Sequence, residues 1–345
     1  MIRFDCDYVE GAHPAILEAL ARTNMEQTAG YGEDAHCERA RALIRAACQA
    51  PEAAVHFLVG GTQANMTVIA AILRPHQGVL CAATGHINVH ETGAVESSGH
   101  KVLGLPHKDG KITAAQVAEY VENHYADSAF EHIVQPGMVY ISHPTEFGTL
   151  YSLEELTALS EVCRRYQLPL FLDGARLGYG LAAGDVTLPD LARLCDVFYI
   201  GGTKCGALLG EAVVIAAPAL QKDFRYHIKQ RGGMLAKGRL LGIQFEALFT
   251  DDLYQRITAG AVSDALRVRA ALQSRGVQMY IDSPTNQQFP ILTEAQRAWL
   301  ERDFALSHWQ KLEDGRHVMR ICTSWATKPE NLEKLLSAIG AMPSD

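Results

Sequence analysis

The chain has 345 residues, 48% of them hydrophobic and 20% charged, and its formal net charge is -8. This composition is typical of a soluble globular enzyme, and the acidic balance without a Lys- or Arg-rich run argues against a nucleic acid partner. The chain has no apolar run of about eighteen residues and no apolar signal core, so we expect no membrane partner and a cytoplasmic location. The eight Cys residues form no Cys-x-x-Cys pair, which argues against structural zinc and a disulfide framework.

From residue 55 onward, short apolar segments typical of strands alternate with helical patterns. The predicted strands are 55–59, 78–81, 102–105, 138–142, 169–172, 196–200 and 211–215, and the predicted helices between them are 63–73, 86–97, 113–125 and 152–166. Thr113 is a predicted N-cap, and Ser152 with Glu155 has the spacing of a capping box. Nearly all-apolar strands are typical of a sheet that is buried on both faces. We therefore predict an α/β fold with a mostly parallel sheet.

The pattern changes after about residue 240. Longer helical segments, 240–249 and 253–273, precede two strand-like segments, 289–292 and 317–322, and a final helix that starts near Pro329. We predict a large domain over residues 1–240, including an N-terminal arm, and a smaller α+β domain over residues 241–345.

Lys204 is the most informative single residue because it lies in a Gly-rich turn directly after the apolar segment 196–200. A Lys amine attacks a carbonyl only in its neutral form, which burial or a neighbouring cation favours. Enzymes that use pyridoxal phosphate need such a Lys and an acid opposite the pyridine nitrogen. Asp173, at the end of segment 169–172, is the candidate acid. The alternatives are a solvated loop Lys and an Asp that caps its own loop.

Other candidate residues also follow predicted strands, where open α/β sheets bind ligands. Gly61 and Thr62 open a helix, and the free N–H groups of a helix N-terminus favour a phosphate. His86 could stack its imidazole on a flat ring, and Arg320 could bind a substrate carboxylate through its guanidinium fork. The alternatives are a simple turn, a surface or capping His, and an Arg that pairs with a structural Asp.

Taken together, these residues resemble the low-specificity L-threonine aldolases, pyridoxal phosphate enzymes of fold type I that are grouped with the β-eliminating lyases. The resemblance extends from the region of Tyr8 to Arg320, and it depends on the order and approximate spacing of several short motifs. These are Tyr31-Gly32-Glu33-Asp34, Gly61-Thr62-Gln63-Ala64-Asn65, His86, Asp173-Gly174-Ala175-Arg176, Lys204 and Arg320.

The resemblance implies a role for each matching residue. Lys204 would be the Schiff-base lysine, Asp173 the partner of the pyridinium, and Gly61 with Thr62 the phosphate site. His86 would stack on the cofactor ring. Arg176 and Arg320 would orient the substrate carboxylate and the phenolic oxygen of the cofactor. Tyr31 matches a tyrosine near the active site that such enzymes contribute across a dimer interface, so the resemblance implies a homodimer or homotetramer.

Three parts of the chain depart from the family pattern. The Gly-rich segment 231–237 lacks the usual Arg directly after Met234, so either Arg231 or Lys237 would reach the phosphate instead, or both are solvated cations. Cys6 stands where many members have a Ser that helps to bind the carboxylate, and a thiol is the weaker hydrogen-bond donor. Glu146 stands where many members have a His, with His143 three residues earlier. If the family His contacts the substrate hydroxyl, Glu146 or His143 takes over that contact, or the substrate preference differs.

The implied activity is cleavage of a β-hydroxy-α-amino acid, of the L-threonine or L-allo-threonine type, to glycine and an aldehyde. The candidate bases are His86, Glu146, His143 and an ordered water, because general-base catalysis needs a group of suitable pKa within hydrogen-bond reach. The same cofactor site would also serve a β-eliminating lyase or an aminotransferase. A non-catalytic regulator that binds pyridoxal phosphate and a structural homo-oligomer are the alternatives outside enzymes.

Overall fold

A computed structural model describes residues 1–343 of the chain. The strands, in chain order, are β1 (Ile2–Arg3), β2 (Ala54–Leu58), β3 (Gln77–Ala82), β4 (Lys101–Leu105), β5 (Gln135–Ser142), β6 (Leu170–Asp173), β7 (Val197–Gly201), β8 (Glu211–Ile215), β9 (Gln287–Gln288), β10 (Ile291–Leu292), β11 (Phe304–Ala305), β12 (Ser307–Lys311) and β13 (His317–Cys322).

The helices, in chain order, are α1 (Pro14–Thr23), α2 (Ala35–Ala47), α3 (Gly61–Ile72), α4 (His86–Val89), α5 (Ala94–Ser97), α6 (Ala114–Ala126), α7 (Leu153–Arg165), α8 (Leu177–Ala183), α9 (Leu188–Leu194), α10 (Phe224–Gln230), α11 (Arg239–Phe249), α12 (Leu253–Ser274), α13 (Glu294–Glu301) and α14 (Pro329–Gly340). Among residues 1–343, no helix combines the length and the apolar character that a bilayer crossing requires.

The central sheet has seven strands in the order β2-β8-β7-β6-β5-β3-β4. Strand β8 runs antiparallel to both of its neighbours, and the other pairs are parallel. The two faces of the sheet bury different side chains: Phe198 and Leu172 join one apolar core, whereas Phe171 and Tyr199 join the other. This burial on both faces explains why the strands appear as continuous apolar runs in the sequence. The prediction of an α/β fold with a mostly parallel sheet is confirmed.

Strand register brings several polar residues to one edge of this sheet. Ser142, the last residue of β5, pairs with Asp173, the last residue of β6. On the next strands, Gly201 at the end of β7 pairs with Glu211 at the start of β8, and Lys204 follows Gly201 by one turn. The carboxyl edge of an open α/β sheet is its usual ligand-binding edge, so the register alone positions the site.

The structure corrects one predicted helix. The segment predicted as a single helix over 86–97 forms two short helices, α4 and α5. Thr92 and Gly93 between them have φ values of 52° and 72°, and a left-handed backbone cannot continue a right-handed helix. The break directs Glu91 back toward His86, which matters for the site below.

The residues after 250 form a second, smaller sheet in which β10, β13 and β12 are adjacent and β9 also pairs with β13. Strand β1 pairs with β11, and Phe4 packs into the same apolar cluster as Phe304 and Met319. The N-terminal arm is therefore anchored on the C-terminal part of the chain. The domain boundary near residue 240 stays a prediction.

Two helical glycines provide a matched test of the packing between α11 and α2. A Cβ on Gly242 of α11 would lie 2.6 Å from the Cα and 2.7 Å from the backbone N of Cys37 in α2, closer than van der Waals contact permits. We expect Gly242→Ala to lower the free energy of unfolding by about 1–3 kcal/mol, as overpacking typically does. Urea denaturation measures the change.

The control is Gly260→Ala in α12, because a Cβ at Gly260 has no atom within 4 Å. Alanine is favoured over glycine in a helix interior by roughly 0.5–1 kcal/mol, so this variant should be slightly more stable than the parent. Equal stabilisation by both substitutions would contradict the tight contact between the two helices.

Candidate active site

A cavity of about 240 Å³ lies at the carboxyl edge of the central sheet. The predicted site residues that line it are Gly61, Thr62, His86, Glu146, Asp173, Arg176 and Lys204. The predicted residues that do not line it are Cys6, Tyr31, His143 and Arg320. The structure thus brings most of the predicted cofactor site together, and the other four residues need separate description.

Lys204 lies on a turn that the backbone holds firmly. The amides of Gly202 and Thr203 both donate to the carbonyl of Gly210, and the Tyr179 hydroxyl donates to the Lys204 carbonyl at 2.6 Å. Burial, followed by the guanidinium of Arg176, lowers the pKa of the Lys204 amine. A lower pKa increases the neutral fraction, which is the form that attacks a carbonyl.

Asp173 accepts four hydrogen bonds, which the sequence did not predict. Oδ1 accepts from the Tyr199 hydroxyl and from the Ala175 amide, and Oδ2 accepts from the Tyr140 hydroxyl and from Asn65 Nδ2. Burial raises the pKa of Asp173, but the charge of His86 and the hydrogen bonds from the two tyrosines outweigh it, so the pKa lies below its ordinary value. Asp173 is therefore a buried carboxylate that stays ionised.

His86 belongs to the same network through Glu91. The Nδ1 atom of His86 is 2.8 Å from Glu91 Oε1, and Asn65 Nδ2 bridges that oxygen to Asp173. Burial lowers the pKa of His86, whereas the hydrogen bond to Glu91 and the charge of Asp173 raise it to a net value above the ordinary one. The contact with Glu91 fixes the ring and leaves Nε2 as the ring nitrogen without a hydrogen bond to the described residues. Its position on the cavity wall suits the predicted stacking role.

Glu91, Asn65, Tyr140 and Tyr199 are the functional residues that sequence reasoning missed. Three of them lie in segments that a structural role alone would explain. The two tyrosines lie among apolar residues in β5 and β7, and Asn65 lies within α3. The one available signal was Glu91, an acid five positions after His86. That spacing does not place two residues on one helix face, so the signal depended on the helix break.

Hydrogen bonds hold the carboxyl group of Glu146 at the cavity wall. Its Oε1 accepts from the Ser142 hydroxyl at 2.6 Å and from the His86 amide at 3.0 Å. The backbone amide of Glu146 also acts on this carboxyl, and neither of its oxygens is an enclosed atom without a hydrogen bond. Burial raises the pKa of Glu146, and the charge of Asp173 raises it further against the hydrogen bond from Ser142. The carboxyl is thus fixed in position and has a basicity above that of an ordinary Glu.

His143 lies behind the cavity wall. Its side chain is fully buried, and its Nδ1 accepts a hydrogen bond of 3.3 Å from the Tyr151 amide. Burial lowers the pKa of His143 to about 4, so the ring is neutral at physiological pH. The structure does not bring this predicted base candidate to the cavity, whereas it does bring Glu146.

Arg176 is already bound by a carboxylate of the chain. Its Nε and Nη2 donate to the two oxygens of Asp7 at 2.7 and 2.9 Å, and Asn286 donates to Asp7 as well. Burial raises the pKa of Asp7, but the charge and hydrogen bonds of Arg176, the charge of Lys204 and the hydrogen bond from Asn286 together lower it to about 2. Only Nη1 of Arg176 has no hydrogen bond within the described residues. Asp7 therefore occupies the Nε/Nη2 edge of Arg176, and both N–H groups of Nη1 with the second N–H of Nη2 remain for a ligand.

Arg320 contacts the N-terminal segment just outside the cavity. Its Nη2 donates to the Asp5 carbonyl at 3.0 Å, its Nη1 is 3.4 Å from Gln287 Oε1, and its Nε is buried without a partner. Cys6 lies between Asp5 and Asp7, the contacts of Arg320 and Arg176. Tyr8 completes the segment, with its ring centroid 5.9 Å from Lys204 Nζ.

Tyr31 lies on the surface, with 47% of its area exposed and the Lys229 Nζ 5.0 Å from its ring centroid. Its backbone is left-handed, with a φ of 61°. It does not contact the cavity of its own chain, which is compatible with the predicted role in a neighbouring subunit but does not test it.

The cavity fits the pyridoxal phosphate that the sequence predicts. Gly60 caps α3 without a side-chain hydrogen bond, so the first N–H groups of the helix stay available to a phosphate. A Cβ on Gly61 would lie 3.0 Å from the Tyr199 hydroxyl, so glycine keeps this end of the cavity open. Lys204 provides the amine, and the ionised Asp173 provides the acid that a pyridinium needs.

Comparison with known proteins gives concordant results. The family model of β-eliminating lyases matches residues 4–288. A low-specificity L-threonine aldolase of Pseudomonas aeruginosa is 30% identical over 349 aligned residues, which cover 96% of this chain and 95% of the relative. The solved structure of Leishmania major threonine aldolase is 44% identical with a TM-score of 0.96, and the match covers 99% of both chains.

Aspartate aminotransferase of Thermus thermophilus shares the fold alone, at 15% identity and a TM-score of 0.69 over 99% of this chain and 91% of that enzyme. The prediction of fold type I is therefore confirmed. The chain belongs to the β-eliminating lyase family.

Proposed function

We propose that this protein is a pyridoxal phosphate-dependent aldehyde-lyase that cleaves a β-hydroxy-α-amino acid of the L-threonine type to glycine and an aldehyde. The observation that carries the proposal is one cavity that combines the Lys204 amine, the ionised Asp173 and the carboxyl of Glu146. The near full-length similarity to two threonine aldolases supports the same assignment.

Pyridoxal phosphate, when bound, supplies the electron-withdrawing ring that takes up the electron pair of the cleaved Cα–Cβ bond. Lys204 attaches the cofactor, since its neutral amine is the nucleophile in the cavity. Asp173 would pair with the ring nitrogen of the bound cofactor, because four donors already stabilise its ionised form. The charge that develops during cleavage is thus matched by a fixed, buried partner.

Two arginines and one carboxylate act on the substrate. The N–H groups of Arg176 that Asp7 leaves free, and those of Arg320 that Asp5 and Gln287 leave free, are the donors for the substrate carboxylate. Holding the carboxylate fixes the orientation of the bonds at Cα. Glu146 takes the proton of the β-hydroxyl, the Cα–Cβ bond breaks, and the aldehyde leaves. Cα then takes a proton, and glycine results. One proton thus leaves the β-hydroxyl and one is added to Cα, and the electron pair of the cleaved bond ends in the new C–H bond of glycine.

The test of this function is a substrate panel with the purified protein. L-Threonine and L-allo-threonine should give glycine and acetaldehyde in equal amounts, and the D-enantiomers and β-phenylserine should define stereochemistry and side-chain range. Lys204→Ala should lose the turnover and the visible absorbance of the bound cofactor. An α-keto acid with ammonia would point to elimination, amino-group transfer to an added keto acid would indicate an aminotransferase, and full activity of Lys204→Ala would overturn the scheme.

A second experiment tests Glu146 as the base. Glu146→Gln retains an oxygen for the donors Ser142 and His86 but cannot take a proton, so we expect kcat to fall by at least about 100-fold with the cofactor absorbance unchanged. The parent enzyme should lose kcat/KM as pH falls below the raised pKa of Glu146, because only the ionised carboxylate is a base. That acid limb should be absent from the residual activity of Glu146→Gln.

The matched control is Ser142→Ala, which removes one hydrogen bond from Oε1 but keeps the carboxylate. Losing this donor raises the pKa of Glu146, so the acid limb should move to higher pH with a much smaller loss of kcat. Near-parental kcat in Glu146→Gln would assign the proton transfer to a different group.

We further propose a cytoplasmic homodimer or homotetramer in which Tyr31 reaches the cavity of the neighbouring subunit. The exposure of Tyr31 and its separation from the cavity of its own chain support this arrangement. Sedimentation velocity tests the assembly, and a monomer at assay concentration would contradict it.

A further inference from the structure

Glu211 is a carboxyl group of the cavity that the proposed reaction does not use. It is the first residue of β8, it is only 3% exposed, and it lines the cavity together with Thr203 and Lys204. Its strand partners are Gly201 on β7 and Leu58 on β2. A buried acid next to a reactive lysine, without an assigned role, calls for a physical explanation.

Both oxygens of Glu211 bond to the turn that carries Lys204. Oε1 is 3.1 Å from the Thr203 hydroxyl, and Oε2 accepts from the Gly202 amide at 3.3 Å. The Thr203 hydroxyl also accepts a hydrogen bond of 2.9 Å from the Gly210 amide. Glu211 therefore controls how the hydroxyl group of Thr203 is used.

The hydroxyl of Thr203 has one proton to donate and two lone pairs. If Glu211 is ionised, the Thr203 proton is committed to Oε1, and no donor is left for a ligand. If Glu211 is protonated, its own O–H donates to Thr203, the Gly210 amide fills the second lone pair, and the Thr203 proton is free to point into the cavity. The two states of Glu211 thus give Thr203 opposite properties toward an anion.

The surroundings of Glu211 favour the protonated state. Burial raises its pKa to about 8, although the charge of Lys204 and the hydrogen bond from Thr203 lower it, and the charge of Asp173 raises it. The other titratable groups that face Glu211 are Tyr199, Cys205 and Tyr254. Burial raises the pKa of each of these three groups, so they are neutral at pH 7. Among the groups that act on Glu211, Lys204 is therefore the one cation.

The phosphate end of the cavity lacks a dedicated cation. Lys204 and Arg176 are the cationic Lys and Arg side chains on the lining within residues 1–343, and Arg176 is paired with Asp7. Gly61 and Thr62 at the start of α3 lie on the same lining as Thr203. Within one chain, the lining therefore offers mainly neutral donors to an anion bound there, and an ionised Glu211 would repel that anion.

We infer that Glu211 is a positioning residue that acts in its protonated form, turning the Thr203 hydroxyl into a donor for the phosphate group of the cofactor. The inference depends on pyridoxal phosphate as the cofactor of the proposed function. It makes phosphate binding depend on pH: loss of the Glu211 proton withdraws the Thr203 donor and adds a negative charge.

The first test is the ³¹P resonance of the holoenzyme as a function of pH from 7 to 10. In the parent protein the bound phosphate should show an inflection at or above pH 8, because a neighbouring phosphate raises the pKa of Glu211 further. Glu211→Gln should show no such inflection, since the Gln amide always donates to Thr203. Thr203→Val keeps the titrating carboxyl but removes the hydroxyl, so only the direct effect of the Glu211 charge remains and the inflection should have a clearly smaller amplitude than in the parent.

The second test measures binding without the Lys204 linkage. The probe is 4′-deoxypyridoxine 5′-phosphate, which has no aldehyde, compared with 4′-deoxypyridoxine, which has no phosphate. Above the inflection, the affinity of the parent chain for the phosphorylated probe should fall by up to about tenfold per pH unit, the limit for one linked proton. Glu211→Gln should bind it with a nearly constant affinity, and the probe without phosphate should show no difference between the two proteins.

Several results would overturn the inference. They are a parent-like inflection in Glu211→Gln, an inflection of undiminished amplitude in Thr203→Val, and an equal pH effect on both probes. Circular dichroism establishes that each variant is folded, and Thr203→Val keeps the question decidable if Glu211→Gln does not fold. Failure of the cofactor assignment is distinguishable, because the parent chain would then show neither a bound ³¹P resonance nor visible absorbance.

Discussion

The ionised carboxylate of Asp173 is the charge on which the rest of the cavity depends. An isolated carboxylate is costly to bury and takes up a proton instead. Here four hydrogen bonds satisfy the carboxylate: two from phenols, one from an amide side chain and one from a backbone N–H. The phenols are suited to this role because burial raises the pKa of Tyr140 and Tyr199 and keeps both of them as donors. Asp173 can then face a pyridinium without competing for its proton.

The same network sets the state of His86. Asn65 joins Asp173 to Glu91, and Glu91 holds the imidazole, so the orientation of the ring follows from a charge at the end of β6. Three carboxyl groups line this one small cavity: Asp173, Glu146 and Glu211. Repulsion between the negative charges opposes ionisation of all three carboxyl groups. The hydrogen bonds to each group determine which of them ionises at the lowest pH. Asp173 has the most donors and ionises first, whereas Glu146 and Glu211 have raised pKa values. Such separation of pKa values is how one site holds groups with different proton functions.

Local sequence signals predicted the elements well where short-range physics determines them. Strands β8 and β13 have the predicted bounds, and the capping box at Ser152 forms as its spacing indicates. Lys204 and Asp173 could be predicted as a pair because both follow buried strands, and parallel strands end at the same edge.

The remaining features depend on contacts between residues far apart in the chain. The pairing of Arg176 with Asp7 joins β6 to the N-terminal arm, and no local pattern indicates it. His143 and Glu146 were equal candidates in the sequence because both are polar residues of the same loop. Only the backbone path separates them: His143 turns into the core beside Tyr151, and Glu146 turns into the cavity.

The segment from Asp5 to Tyr8 shows how distant parts of the chain meet at the substrate position. Arg176 from the end of β6 holds the Asp7 side chain, and Arg320 from β13 holds the Asp5 carbonyl. Cys6, between these two anchors, is confined even though its thiol donates only weakly. Since the arm already occupies Nε and one N–H of Nη2 on Arg176, a substrate carboxylate would use the N–H groups of Arg176 and Arg320 that the arm leaves free. A weak donor at position 6 is therefore compatible with carboxylate binding, because the two arginines determine where the carboxylate lies. The arm determines which N–H groups of the two arginines stay free.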